Sequence, residues 1–400
     1  MMEMTKKKFK TGLMNRRIWI ILISLMACGN NNPGPGVPLI SVLPKNVTEG
    51  DQADITLTIP LQLSANTSKP VKVSLSTADL TAHAGQDYIA LMDSQIVFNA
   101  GETVKNISLE IISDTIMEFT EKFELILAHP ENARLKDSII TITISDNDTH
   151  QVIPAKDGYI SPGTYPGFTL AWSDEFSDSQ LSTADWNYEL GAGGWGNNEL
   201  ENYTNNSDNV FTDSGKLVIK AIHAEAGYTS GRLTTQHKQA FKYGLIDIRA
   251  KLPMGQGLWP ALWMLGANID QVGWPVCGEL DIMELIGKEP GTVYGTAHWN
   301  SNGHQGKGGN TILPGQEIFA DQYHVFSLLW EEDHIAWYLD YQKYFEISRT
   351  DVGTDWPFNA SFFFIFNVAV GGNWPGIPDG TTVFPQSMNV DYVRVFRPSE

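Results

Sequence analysis

Hydrophobic and polar residues alternate along much of the chain, and this alternation predicts strands. In segments 55–59 and 140–144, Ile or Leu occupies every second position and Thr lies between them. Successive side chains of a strand point to opposite faces, so a period of two indicates half-buried strands. Turn sequences at 49–51 and 99–101 separate such runs. About seven strands within residues 38–148 predict a β-sandwich.

The alternation resumes after an irregular stretch. Residues 149–166 contain several prolines and glycines without periodicity and are predicted to be a linker. Residues 167–398 again have the pattern of strands, as in segments 217–221 and 246–252, and contain no amphipathic helix of convincing length. Roughly 230 residues of strands with many turn glycines predict a second, larger two-sheet sandwich, whose concave face would hold an extended polymer. The predicted fold class is all-β.

The first 28 residues have the pattern of an export signal. Basic residues precede a short apolar run at 18–27, which is too short for a transmembrane helix. The sequence at 25–28 resembles a bacterial lipoprotein cleavage box, in which Cys28 is lipidated and residues 29–37 act as a tether. The alternative is an ordinary cleaved signal in which Cys28 is incidental. We expect a secreted protein, or a cell-surface or outer-membrane lipoprotein of a bacterium that contacts the membrane only through its lipid anchor.

Composition narrows the classes of partner. The 400 residues include 46 acidic and 27 basic side chains, a formal net charge of -19, which disfavours nucleic acid and anionic membrane surfaces as partners. Cys28 and Cys277 are the two cysteines, so no disulfide framework is expected. The 12 tryptophans exceed what a core of this size needs, and some of them are expected to face a ligand.

The segment 278–284 carries the most informative chemistry. Its three acids, Glu279, Asp281 and Glu284, are flanked by strongly apolar, β-prone residues. In a regular strand Glu279 and Asp281 share one face, whereas Glu284, at odd spacing, faces the other way. A β-bulge near residues 282–283 would turn Glu284 back toward the other two acids, and bulges are common beside active sites.

Three carboxylates on one face are unfavourable unless their proton affinities are driven apart, and glycoside hydrolysis requires such a separation. The ionised carboxylate attacks the anomeric carbon while the protonated one gives its proton to the leaving oxygen; retaining enzymes hold the pair about 5 to 5.5 Å apart. Neighbours on one strand reach that separation when their side chains lean toward each other. The alternative is that the three acids lie on an outer sheet face.

The amino-terminal sandwich resembles a Calx-beta domain, which is immunoglobulin-like. The residues that carry the resemblance are 49–50, 84–88, 98–102, Asp114 with Glu118 and Glu121, and 146–148. The resemblance implies that acids at such positions can bind calcium, because clustered carboxylates need a hard cation to offset their repulsion. The candidate ligands are Glu49, Asp87, Asp114, Glu118, Asp146 and Asp148. The alternative is that they are solvated turn residues.

The carboxy-terminal sandwich resembles glycoside hydrolase family 16, in its laminarinase-like branch. The acidic motif matches in its longer, bulged form, and so do segments 172–176, 195–200, 228–232, 257–263, 273–275 and 367–374. The resemblance implies a concanavalin-like β-jelly roll in which Glu279 is the nucleophile and Glu284 the acid/base. It makes Asp281 the hydrogen-bonding neighbour that tunes the nucleophile. Catalysis of this kind needs no cofactor.

Aromatic residues before the acidic segment are candidates for sugar binding, because pyranose rings stack on flat indoles. Trp259, Trp263 and Trp274 are the first candidates, with a place in the core as the alternative for each. Further substrate-binding candidates are Trp195, Asn198, Glu199 and His298. His298 is expected near the acid/base, with a satisfied strand residue as the alternative, and Asn198 has turn formation as its alternative.

Two more features of the resemblance bear on metal and substrate. Glu175, Gly215 and Asp391 match positions that bind a structural calcium in the family. Leu245 stands where laminarinase-like members often carry Arg, which leaves the preference at one sugar subsite open, since lichenase-like members can have an apolar residue there.

The candidate cleft segments contain very few Arg and Lys residues, which argues against a sulfated galactan and favours a neutral glucan. We therefore expect a monomeric, retaining endo-hydrolase of β-1,3-glucan, a laminarin-type polysaccharide, that acts by double displacement. A mixed-linkage β-1,3-1,4-glucanase and a non-catalytic β-glucan-binding protein are the alternatives.

Overall fold

The structure of the protein is a computed structural model that describes residues 37–116, 118–148 and 153–399. The predicted export signal, with the lipidation candidate Cys28, lies outside these residues. Strands dominate the described residues, and the all-β prediction is confirmed. No helix in the described part of the chain is long and apolar enough to cross a membrane.

The amino-terminal domain is a sandwich of two sheets. Its strands are β1 (Leu39–Ser41), β2 (Lys45–Thr48), β3 (Ile55–Leu63), β4 (Val71–Asp79), β5 (Ser94–Phe98), β6 (Val104–Ile111), β7 (Glu121–Glu131), β8 (Arg134–Leu135) and β9 (Ile139–Ser145). One sheet has the order β6-β3-β1-β8 and the other β2-β9-β7-β4-β5. Ile59, Leu75, Phe123 and Ile142 are buried in one hydrophobic cluster. The alternating positions of the sequence therefore form the core of this sandwich.

The stretch predicted to be an irregular linker contains a β-hairpin, so that part of the prediction is wrong. Strands β10 (Ile153–Ala155) and β11 (Gly158–Ile160) pair with each other, and the backbone N–H of Tyr159 donates to the carbonyl of Tyr323. Gly158 has φ 129°, and a Cβ there would lie 2.1 Å from the carbonyl oxygen of Tyr323. This close backbone approach requires glycine, and it fixes the hairpin to the carboxy-terminal domain.

The carboxy-terminal domain is a larger sandwich with very short helices. Its strands are β12 (Phe168–Asp174), β13 (Asn187–Tyr188), β14 (Glu201–Tyr203), β15 (Val210–Thr212), β16 (Leu217–Ala224), β17 (Gly227–Ser230), β18 (Arg232–Thr234), β19 (Gly244–Lys251), β20 (Leu258–Gly266), β21 (Glu279–Glu284), β22 (Thr292–Asn300), β23 (His304–Ile312), β24 (His324–Trp330), β25 (His334–Leu339), β26 (Gln342–Ser348), β27 (Phe362–Val370) and β28 (Gln386–Pro398). Its helices are α1 (Ile269–Val272), α2 (Arg349–Val352) and a 3₁₀ turn at Gly353–Asp355.

Two sheets enclose the core of this domain. The ten-stranded sheet runs β14-β17-β16-β28-β19-β24-β25-β26, with β12 on β28 and β15 on β16. The seven-stranded sheet runs β13-β18-β27-β20-β21-β22-β23. All nine residues of β27 are buried, and Phe364 and Phe366 lie in the core between the sheets. The acidic strand β21 is therefore held inside the seven-stranded sheet, with one face on the core and the other free to form a site.

The amino-terminal domain contacts the carboxy-terminal sandwich at the ten-stranded sheet. Phe119 packs on Phe168 with 4.9 Å between the ring centroids, and the backbone N–H of Thr120 donates to Glu331 at 2.5 Å. These residues adjoin a second cluster on the ten-stranded sheet, which includes Tyr338. The contact therefore leaves the face of the seven-stranded sheet open.

Candidate active site

The acidic strand has the bulge that its sequence predicts. Asp281 pairs with Trp263 of the neighbouring strand, but the preceding partner, Leu262, pairs with Met283, so Ile282 is the extra residue. On the other side the register jumps between Asp281 and Glu284. The bulge corrects the parity, and all three acids line one cavity of about 570 Å³ on the seven-stranded sheet.

Glu279 is buried, and two neighbouring groups favour its charged form. Burial and the nearby Asp281 raise the pKa of Glu279 to about 8. The indole N–H of Trp274 donates to Oε2 at 2.8 Å, and Nε2 of His298 lies 3.9 Å from Oε1. Both groups act against the rise, because they stabilise the charged carboxylate.

Glu284 is in a setting that favours the protonated form. Burial raises its pKa well above the usual range, and the charges of Asp281 and Glu279 add to this rise. Its Oε1 accepts a hydrogen bond from the indole N–H of Trp259 at 3.0 Å. The two glutamates therefore differ in proton affinity in the sense that acid catalysis requires.

Asp281 lies between the two glutamates and is almost fully buried. Burial raises its pKa to about 8, and its carboxyl is close enough to Glu279 for the two to share a hydrogen bond. Nε2 of His298 lies 3.2 Å from Oδ2 of Asp281. His298 was predicted to lie near the acid/base; the strand register sets it opposite Glu279, and its charge also acts on Glu284 in the same cavity.

Alternation on β20 supplies the aromatic floor of the cavity. Trp259 and Trp263, with Ala261 between them, line the cavity, whereas Leu262 and Met264 point into the core. The Trp263 indole N–H donates to the side-chain oxygen of Asn367 at 2.8 Å. Trp274 joins the lining from the loop that precedes the acidic strand. The structure thus brings all three predicted tryptophans together around the acids.

The far end of the cavity is formed by residues before β14 and on β18. Trp195 and Glu199 line it, as predicted from the sequence. The guanidinium of Arg232 lies 4.8 Å from the Trp195 ring centroid and pairs with Glu189 at 2.5 Å. Among the described residues that line the cavity, Arg232 is the single Arg or Lys. The pairing of its charge fits the sequence-based expectation of an uncharged ligand.

Two sequence-based expectations near the site receive no support from the structure. Asn198 does not belong to the lining; it has φ 59° and donates to Asn373, while its neighbour Asn197 faces the cavity. Leu245, taken as a mark of one sugar subsite, is buried on the ten-stranded sheet beside Phe396. A strand whose two faces are both buried gives no signal for which residue approaches a ligand, so Leu245 says nothing about linkage preference.

Several cavity residues were not predicted as site residues. Arg232, Asn367 and Trp374 lie within segments that carry the resemblance, so the signal was present without a role attached. His304 had no such signal, because only the pairing of β22 with β23 brings it to the cavity.

The amino-terminal acids gather into two groups of three. Glu49, Asp146 and Asp148 form one, and Asp87, Glu118 and Glu121 form the other; in each group the ligand atoms lie within 4.8 Å of one another. Glu121 was missing from the predicted ligand set. Asp114 is in neither group and accepts a hydrogen bond from the backbone N–H of Ile116.

The burial of these acids fits a bound cation. Burial first, and then the neighbouring acids, raise the pKa values of Glu49 and Glu121 to about 9. Glu49 is 94% buried, and its Oε1 has no hydrogen-bond partner among the described residues. A hard divalent cation would remove both the repulsion and the unsatisfied oxygen.

The second predicted calcium site receives no such support. Both oxygens of Glu175 accept hydrogen bonds from Arg394 at 2.8 Å, and Asp391 pairs with Lys216 at 2.7 Å and Arg249 at 2.5 Å. Basic side chains already balance these two carboxylates. Calcium at Glu175, Gly215 and Asp391 stays a prediction.

Comparison with known proteins agrees with this architecture. The model of glycosyl hydrolases family 16 matches residues 197–394, and that of the Calx-beta domain matches residues 39–148. The chain is 40% identical over 260 residues to glucan endo-1,3-beta-glucosidase A1 of Niallia circulans, covering 58% of this chain and 38% of that protein. It is 39% identical over 249 residues to the beta-glucanase of Rhodothermus marinus, covering 58% of this chain and 86% of that protein.

A solved structure gives the same result. The catalytic domain of an endo-1,3-beta-glucanase (laminarinase) from Thermotoga petrophila is 47% identical and is covered over 99% of its length, which is 58% of this chain, with a TM-score of 0.54. Both resemblances stated from the sequence are thereby confirmed. The chain matches a relative over most of that relative's length, and its own sandwich places three acids in one aromatic cavity. This chain therefore belongs to glycosyl hydrolases family 16.

Proposed function

We propose that the protein is a retaining endo-1,3-β-glucanase that cleaves neutral, laminarin-type β-glucans. The observation that carries the proposal is the bulged strand, which brings Glu279 and Glu284 to one cavity and gives them different surroundings. The relatives named above as endo-1,3-beta-glucanases support the choice of substrate.

The first step uses the two glutamates in opposite roles. Glu284 gives its proton to the oxygen of the scissile glycosidic bond, and the Glu279 carboxylate attacks the anomeric carbon. The bond to the leaving sugar breaks as the bond to Glu279 forms. Asp281 shares a hydrogen bond with Glu279 that raises the pKa of Glu279 and lowers that of Asp281, whereas the Trp274 N–H and His298 favour the ionised nucleophile.

The second step reverses these roles. Glu284, now a carboxylate, takes a proton from water, and the resulting oxygen attacks the anomeric carbon. The ester to Glu279 breaks, and the product keeps the configuration of the substrate. The two glutamates and one water molecule supply every proton and electron pair of both steps, so the reaction proceeds without a cofactor.

The lining of the cavity supports a neutral polymer. Trp259, Trp263 and Trp274 present flat apolar surfaces to sugar rings, and the one guanidinium described in the lining is paired with Glu189. A sulfated chain would need unpaired basic groups to offset its charge.

The test is reducing-sugar release by the full chain on laminarin, barley β-glucan, agarose and carrageenan, with Glu279→Gln beside the wild type. We expect laminarin to be cut and Glu279→Gln to be inactive. Proton NMR of the first products should show the β-anomer. Release from the galactans alone, or an α-anomer as first product, would contradict the proposal.

We further propose that the Calx-beta acids bind structural calcium and that Cys28 carries a lipid anchor on the bacterial surface. The two buried acid groups support the first of these. The second rests on the sequence at 25–28. Incorporation of labelled palmitate into the wild type but not into Cys28→Ser would support it, and equal labelling would contradict it.

A further inference from the structure

A histidine at the edge of the site contacts two separate supports of the nucleophile. His304 is the first residue of β23, which pairs with β22 at the edge of the seven-stranded sheet. Its Nε2 lies 2.9 Å from Nδ1 of His298, and its ring centroid lies 4.6 Å from that of Trp274. No role of His304 followed from the sequence.

Both neighbours of His304 lie against the acids. Trp274 donates to Oε2 of Glu279 at 2.8 Å. Nε2 of His298 lies 3.2 Å from Oδ2 of Asp281 and 3.9 Å from Oε1 of Glu279. His304 therefore stands behind both groups, without itself reaching the carboxyl oxygens.

The hydrogen-bonding capacity of imidazole determines which histidine donates and which accepts in the contact between His304 and His298. A neutral imidazole has one N–H donor and one acceptor nitrogen, and the partner of one nitrogen determines which of the two is protonated. If Nε2 of His304 donates to Nδ1 of His298, then His298 carries its proton on Nε2, where it faces Asp281 and Glu279. The reverse tautomer would turn a lone pair toward two acids, which is repulsive when either acid is ionised.

The strand opposite His298 is shaped for this contact. Gly306 pairs with His298 across the two strands, and a Cβ on Gly306 would lie 2.7 Å from His298 Nδ1. Any larger residue would displace the imidazole from its position beside His304. The absence of a side chain at residue 306 thus keeps the nitrogen accessible to its donor.

We propose that His304 is a positioning residue that holds His298 as the Nε2–H tautomer and thereby favours the ionised form of the nucleophile pair. This inference deepens the proposed function and rests on it for its kinetic test. The charged and titratable groups around the two histidines are Glu279, Asp281 and Glu284 on β21 and Lys307 on β23, and Lys307 is paired with Asp351 at 2.7 Å. Burial and the neighbouring His298 lower the pKa of His304, which agrees with a neutral donor.

The kinetic test compares two substitutions in the full chain. His304→Leu keeps apolar contact with Trp274 but removes the donor, so the acid limb of kcat/KM on laminarin should move up by about one pH unit. Activity below that limb should then fall about tenfold, since one pKa unit is a factor of ten. His304→Gln offers an amide N–H and should bring the limb back toward the wild-type position.

Two controls separate this effect from a loss of packing. Gly306→Ala should reproduce the shift seen in His304→Leu, because it displaces the same imidazole. His223→Leu removes an exposed histidine that stacks on Tyr228 outside the cavity and should leave the pH profile unchanged. An acid limb that does not move in His304→Leu, or that moves equally in His304→Gln, would overturn the inference.

A spectroscopic measurement determines the tautomer of His298 without requiring turnover. Imidazole ¹⁵N chemical shifts, assigned with a His298→Asn variant, should show His298 protonated at Nε2 in the wild type and in His304→Gln, and a mixture of tautomers in His304→Leu. A wild-type His298 protonated at Nδ1 would refute the inference even in an active enzyme. If the wild type released no sugar from laminarin, the proposed function would fail, while the tautomer measurement would still decide the role of His304.

Discussion

The two domains bury carboxyl groups of the same kind and surround them differently. Around β21 the acids face side-chain N–H groups: Trp274 donates to Glu279 and Trp259 to Glu284. In the Calx-beta domain the donors are backbone N–H groups, as for Asp146, which accepts from residues 118 and 148. One oxygen of Glu49 has no hydrogen-bond partner within the described part of the chain. The first setting gives the acids different pKa values. The second leaves an excess of negative charge that a cation would balance.

The largest expected effect removes one catalytic carboxyl. Glu279→Gln or Glu284→Gln should lower kcat on laminarin by about a thousandfold or more, because the proposed mechanism gives each glutamate a covalent or proton-transfer role that an amide does not fill. The midpoint of thermal unfolding should stay the same or rise, since a buried acid is replaced by a neutral isostere.

Glu49→Gln is the matched control for this comparison. It neutralises a buried acid in the other domain and should leave kcat unchanged. Loss of turnover in Glu49→Gln, or unfolding of the Glu279 and Glu284 variants, would contradict the assignment of separate roles to the two acid groups.

A smaller effect is expected when only the indole donor is removed. Trp274→Phe keeps an aromatic ring but loses the N–H to Glu279, so the pKa of that carboxyl should rise further and the acid limb of kcat/KM should move to higher pH. Trp259→Phe should act on the alkaline limb, because its N–H bonds to the acid/base Glu284. The pH dependence of initial rates checks both. Equal shifts of both limbs in both variants would contradict the pairing of each indole with one acid.

Calcium should stabilise the amino-terminal domain without changing turnover. A ligand at a hundred times its dissociation constant adds about 2.7 kcal/mol to the free energy of unfolding. Scanning calorimetry of the full chain with calcium and with EDTA should show the gain in the transition of that domain. The gain should disappear in the double variant Glu49→Gln, Asp146→Asn. If calcium does not shift the unfolding transition of this domain, the proposal that its acid groups bind calcium is contradicted.

The smallest effect concerns pH in the absence of calcium. The pKa values of Glu49 and Glu121 are raised to about 9 in the folded protein from an ordinary 4.5, and that of Glu118 to about 7. The folded state therefore binds more protons than the unfolded state between these values, and its stability falls as pH rises from about 5 to 9. In EDTA the unfolding midpoint of this domain should decrease across that range, and calcium should weaken the trend. A midpoint that rises with pH in EDTA would contradict the raised pKa values.

The sequence predicts more of the active site than of the segment that connects the two domains. Parity indicated a bulge before Glu284, and the aromatic residues that precede the acidic segment, Trp259 and Trp263, line the cavity. The hairpin at 153–160 was missed because its strands are three residues long and one contains a proline. The contacts of His298 with Glu279 and Asp281 were not predicted, because they depend on strand register, which no local pattern determines.

Trp274 and Trp259 both line the cavity, and each donates its indole N–H to one of the two glutamates. An indole whose N–H bonds to a titrating acid changes its fluorescence when that acid gains or loses charge, and again when a sugar ring covers its face. The emission of Trp274 and Trp259, isolated by difference against their phenylalanine variants, therefore reports the state of Glu279 and Glu284. Tryptophan fluorescence therefore follows both the protonation of the two glutamates and the binding of sugar in the cavity, without a label and without turnover.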